Sequence, residues 1–144
     1  MSPEESTTLY RPVGQKEFDL IAASGFREFP PRLDSQPIFY PVLHEEYASF
    51  IAREWNTADE ASGYIGYVLR FAVKTSYLAQ YEVRKVGSAT ALEYWIPAGD
   101  LTRFNENIVG KIEKIVTFLP ARAVSALLVT PKESEGGFPG GKPR

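Results

Sequence analysis

The chain has no cysteine and a single histidine, His44. Without thiols it can form no disulfide, no thiolate-bound zinc site and no thiol nucleophile, and one imidazole does not make a metal centre. No metal is therefore expected. Charge of one sign is not gathered either: the longest basic run is the pair Arg84-Lys85, and the formal net charge is −2. Nucleic-acid affinity rests on a clustered positive field, so general DNA or RNA binding is not expected. Long apolar runs are missing as well, since "AVSALLV" at 123–129 falls far short of the roughly 20 residues that cross a bilayer. The start, "MSPEESTTLY", lacks the basic-then-apolar order of a secretory signal. A cytoplasmic protein without a membrane partner is the expectation. No GxGxxG or GxxxxGK[ST] run is present to cradle a phosphate.

What the chain does have is rings: 13% of its residues are aromatic, within 44% hydrophobic and 24% charged. That is a globular composition, and the aromatic share favours strands and a binding surface over a helical bundle. At 144 residues one domain is expected, placed at 9–130, with a flexible start at 1–8 and a disordered Gly/Pro-rich tail at 131–144. "LYRPV" reads as a short first strand closed by Pro12 and Gly14. Phe18, Ile21 and Ala22 then recur at helical spacing up to Gly25, a C-terminal cap. The three prolines of "FREFPPRLDSQP" predict an ordered or semi-ordered loop. "IFYPVL" has strand composition, with Pro41 marking an edge or an end. "HEEYASFIAREWN" is an amphipathic helix with acidic residues in its first turn.

After residue 56 strand patterns follow one another: "YIGYVLRFAV", "YLAQYEVRKVG", "LEYWIPA" and, beyond a short helix "GDLTRFNENI", "IVGKIEKIVTFLP". A further short helix opens the stretch from residue 121. The order predicts a single α+β domain with a mainly antiparallel, split sheet and two principal helices in the N-terminal half. A doubly wound nucleotide-binding fold does not match it.

Three places in this order carry polar groups suited to a site. Glu93 lies among large apolar neighbours, and if Leu92, Tyr94 and Ile96 face the core, alternation turns Glu93 and Trp95 to the other face. There the carboxylate is either a solvated strand residue beside an indole or an acid in an aromatic-lined cleft. The Tyr94 hydroxyl is available to a site or to the core. Arg11, at the end of the first strand, offers a forked donor to a phosphate or carboxylate, as surface arginines often do without function. Phe39 and Tyr40 can stack on a ring or pack beneath the second helix. His44 stands where a helix cap belongs.

Taken together, "LYR" on a first strand before a helix, "FYPVLHEEYASFIA" as strand into helix, "GYVLRFAV", "EYWIPAGDL" and the closing "NIVGKIEKIVTF" resemble a small ADP-ribosyltransferase domain over most of residues 9–118. The chain is also similar to small bacterial proteins carrying an "ADP-ribosylation/crystallin" label. The resemblance implies NAD as substrate, transfer of ADP-ribose to an acceptor that the sequence does not name, and Glu93 as the catalytic carboxylate. It implies Arg11 as the holder of the dinucleotide, with Tyr40, Tyr94 and Trp95 around the nicotinamide. Ala91 stands where arginine-modifying members carry a second glutamate. The alternative is a binding or interaction module that keeps the scaffold without the reaction, since a fold does not fix a function.

Overall fold

The clearest alternation in the sequence becomes the central strand of the computed structural model, which describes residues 5–120. Strand β3 (Gly66–Lys74) turns Leu69, Phe71 and Val73 to one face and Val68 to the other, and all four are buried. β1 (Ser6–Val13) runs antiparallel along one side of it, and β7 (Ile108–Phe118) along the other. Both faces of this sheet are covered. The fold is α+β, with every strand pair antiparallel among the described residues.

On the first face Leu9, Val13, Leu69, Phe71 and Val73 pack against Ile21 of helix α1 (Gln15–Ala23), and Phe29, Phe39 and Phe104 add a group of rings. The Phe29 and Phe39 ring centroids lie 5.0 Å apart, and those of Phe39 and Phe104 5.3 Å. Helix α1 stops as its spacing predicts: Gly25 takes a left-handed φ of 78° and passes its N–H to the Ala22 carbonyl. On the second face helix α2 (Glu45–Glu54) lays the small residues Ala48 and Ala52 against Val42 and Val68. His44 occupies its N-cap position but makes no side-chain capping bond. Small residues let α2 approach closely, and the partner position on β3 is Gly66. A methyl group there would land on the Ala52 carbonyl oxygen.

Two further pairs complete the strands: β2 (Ile38–Phe39) with β6 (Ile96–Pro97), and β4 (Val83–Lys85) with β5 (Leu92–Tyr94). Val42 joins β5 to β1. It exchanges two 2.8 Å backbone hydrogen bonds with Tyr10 and stands opposite Glu93, between the bonds Leu43 N–H to Leu92 O and Tyr94 N–H to Pro41 O. Directly opposed residues of antiparallel strands point to the same side, so Tyr10, Val42 and Glu93 share the α2 face. Arg11, next to Tyr10, belongs to the other face.

Several boundaries depart from the sequence reading. β1 begins at Ser6, inside the stretch expected to be flexible, because Thr7 and Thr8 pair with Val73 and Ala72 and the Thr7 hydroxyl meets that of Thr75 at 2.7 Å. The start of "YLAQYEVRKVG" is not strand but joins a one-turn helix, α3 (Thr75–Leu78), and the hydroxyls of Tyr77 and Tyr81, four residues apart, meet at 2.8 Å. Only Val83–Lys85 of that stretch is extended. "LEYWIPA" is two strands separated at Trp95, and the helix after it, α4 (Leu101–Glu106), is preceded by a single tight turn at Ala98–Asp100. The expected short helix and tail from residue 121 onward lie outside the described residues. No helix among the described residues is long and apolar enough to cross a membrane.

The approach of α2 to β3 gives a direct test. Gly66→Ala should cost about 1–3 kcal/mol in urea unfolding, because backbone must move to admit the methyl. Gly99→Ala, where no atom stands within 4 Å of the new group, should change stability by less than about 0.5 kcal/mol. Equal midpoints for the two variants would contradict the packing described.

Candidate functional site

Arg11 sits in the middle of β1, so strand alternation drives its side chain into the aromatic core, where it is wholly buried. A guanidinium there requires a carboxylate, and the sequence supplies one six residues on. Pro12 and Gly14 end the strand, α1 starts at Gln15, and its first turn swings Glu17 back over the strand end. Arg11 Nε donates to Glu17 Oε2 at 2.7 Å and Nη2 to Glu17 Oε1 at 3.0 Å, a forked two-bond pair. The Arg11 Cζ lies 4.6 Å from the centroid of the Phe39 ring. A second guanidinium, Arg32, comes to 5.8 Å from the same centroid and donates from Nη2 to the Ile38 carbonyl at 2.9 Å. Burial, and then the charge of Arg11, push Arg32 down to about 10, with Glu17 acting the other way. Two guanidinium groups therefore lie against the Phe39 ring, and of the two it is Arg11 that makes the ion pair with Glu17. In this structure the Nε and Nη2 of Arg11, expected to face a phosphate, are engaged by Glu17.

Glu93 is also wholly buried, and so is not the solvated strand residue that was one of the two readings alternation left open. The reason is that the second face of the sheet is covered as well as the first, so leaving one core means entering another. Its carboxylate takes a hydrogen bond from Trp95 Nε1 at 2.7 Å. Trp95 is 38% exposed and lies against the edge of Tyr40, with ring centroids 6.0 Å apart, while Arg84 stands 4.4 Å over its indole. Arg84 is also the residue directly opposite Glu93 in the β4–β5 register. Thus Glu93, Trp95 and Tyr40 come together, with Glu93 buried and Trp95 partly exposed. Tyr94 points the other way into the main core, and burial pushes its hydroxyl above the ordinary value. Five residues were singled out from the sequence, and the fold separates the two charged ones: Glu93, bonded to Trp95, lies on the α2 face, and Arg11 on the other, where Tyr94 also packs into the core.

The open concavity lies elsewhere. A cleft of about 690 Å³ runs beside the end of β1, between α1, the proline-rich segment 30–36, and residues 55–62. This is within the range of small-molecule sites. Its walls carry Glu17 and Arg32, the apolar Leu20 and Leu33, and Trp55 and Asn56 at the end of α2. Residues 55–62 are held in shape by short bonds: Asn56 Nδ2 donates to Ser62 Oγ at 2.9 Å, and Ser62 Oγ to Asp59 Oδ2 at 2.7 Å. Gly14 lies so close beneath Ser62 that it has no room for a side chain. Arg32 and Asn56 were not marked as site residues by the sequence. The only signal was the proline pair before Arg32, which promised order in a loop without saying where it would lead. Among the described residues no three His, Asp or Glu side chains are grouped to hold a metal ion.

The Arg11–Glu17 pair should behave as a unit. Glu17→Gln leaves a buried cation without its carboxylate and should cost about 3 kcal/mol in urea unfolding, the low end for buried pairs because Glu17 keeps 24% of its side chain exposed. The double variant Arg11→Met, Glu17→Leu should cost less than Glu17→Gln alone. Additive losses would contradict the pairing. No protein-family model matches this sequence, and no curated protein sequence matches it either.

Proposed function

We propose that the protein is a ligand-binding module on an ADP-ribosyltransferase-like scaffold, which binds a small molecule in the cleft beside α1 and does not carry out the transfer. The order of strands and helices supports the scaffold, though it resembles that family by pattern alone. One observation carries the functional part: Arg11, the residue that would hold a dinucleotide, spends its fork on Glu17, while Glu93 is sealed behind Trp95 on the opposite face. Catalysis of nicotinamide departure needs the carboxylate and the holder of the dinucleotide against one substrate, because only interactions made at the reacting bond lower its barrier. Here they do not share a cleft. The cleft beside α1 has the volume of a small-molecule site, and NAD is the probe that tests transfer.

A second reading, NAD-dependent transfer with Glu93 as catalytic carboxylate, is favoured by one specific fact. A wholly buried carboxylate is costly, and such groups gather at functional sites. The two readings separate in a single assay of NAD consumption by the wild type and by Glu93→Gln, which keeps the shape and removes the charge. The module predicts no consumption by either protein. Turnover by the wild type that disappears in Glu93→Gln would overturn it. In the same samples a ligand present at about 100 times its dissociation constant should stabilise the fold by roughly 2.7 kcal/mol, a rise of several degrees in Tm.

A further inference from the structure

We infer that the ligand of the cleft beside α1 is an amphipathic anion, a single phosphate or carboxylate group carried on a flat apolar body, with its charge held by Arg32. The inference rests on the binding-module reading and adds the chemistry of what is bound. The charges on the walls come first. Each carboxylate of the cleft is engaged within the protein, Glu17 by the fork of Arg11 and Asp59 by the Ser62 hydroxyl. The cations are not matched in the same way: Arg11 lies behind Glu17, and Arg32 and Lys16 add two more charges to the walls. Counting Arg11 behind the wall, three cations stand against the two carboxylates Glu17 and Asp59, and an anion corrects the difference. Arg32 also keeps unused capacity, since its Nε is buried without a hydrogen-bond partner while Nη2 is taken by the Ile38 carbonyl. A planar guanidinium fixed by one bond and a ring is pre-organised for a carboxylate or phosphate.

The rest of the cleft calls for an apolar body. Leu20 and Leu33 stand 48% and 64% exposed on its walls, beside Pro30, Pro31 and Trp55. Scattered exposed leucines mean little, but here they line one concavity next to a charged group. At the far wall Asn56 Oδ1 is buried without a donor, while its amide nitrogen is bonded to Ser62. A hydroxyl or N–H on the ligand body would meet that acceptor.

Binding of phenyl phosphate, benzoate, inorganic phosphate and phenol to the full chain, followed by titration calorimetry and thermal shift, tests this. Phenyl phosphate or benzoate should bind best, inorganic phosphate more weakly for want of a body, and phenol more weakly for want of a charge. Arg32→Gln should lose about tenfold or more in affinity for the aryl anion. Should Arg32→Gln fold poorly, Leu20→Glu, an exposed helix position, places a like charge on the same wall and should weaken the anion by a larger factor than it weakens phenol. Phenol binding as tightly as phenyl phosphate, Arg32→Gln binding the anion as tightly as the wild type, or no binding of any probe at about 10 mM would each overturn the inference. None of these results bears on NAD consumption, so a failed inference and a failed module reading show up in different assays.

Discussion

The buried pair of Arg11 and Glu17 is the constraint around which the site end of this protein is arranged. Strand geometry forces a guanidinium into an aromatic core, and a guanidinium cannot be left there uncompensated without a penalty of several kcal/mol. Everything adjacent follows from meeting that requirement. β1 must end at Val13 and α1 must begin at once, so that the first helical turn brings Glu17 within 2.7 Å. Phe39 must present its ring face to Arg11, which fixes β2, and Arg32 then comes to the same ring and ties the proline-rich segment to Ile38. The cleft is the space left between these parts.

The same constraint separates the two polar centres of the molecule. Arg11 and Glu93 are three strand positions apart across the sheet, joined through Tyr10 and Val42, yet the pleat turns them to opposite faces. Each is buried and each is answered by its own neighbour, a carboxylate for the one and an indole N–H for the other. Both groups serve packing and registry where they stand. On the proposed reading a ligand is met at Arg32, beside the Arg11–Glu17 pair.

How far the sequence disclosed this differs from place to place for physical reasons. Helices α1 and α2 were legible because Phe18, Ile21 and Ala22, and Ala48, Ile51 and Ala52, recur at helical spacing. β3 was legible because a two-residue period persisted from Tyr67 to Val73. α3 was not, since four residues give no period to read, and the Tyr77–Tyr81 contact looks in sequence like two ordinary strand aromatics. Glu93 was recognised as unusual, but alternation tells only which face a residue takes and not whether a helix covers that face. The cleft was hidden because Arg32 and Asn56 lie 24 positions apart in segments without periodicity, and only the fold brings them to one concavity.

The chain contains two tryptophans, one in each region: Trp55 lines the cleft, and Trp95 donates to Glu93. Their two indole N–H signals in a nitrogen-proton NMR spectrum therefore report the two centres separately during titration with NAD or an aryl phosphate. Binding in the cleft predicts that the Trp55 signal shifts with ligand while that of Trp95 stays in place. A shift confined to Trp95 would contradict the account and return Glu93 to the reacting bond.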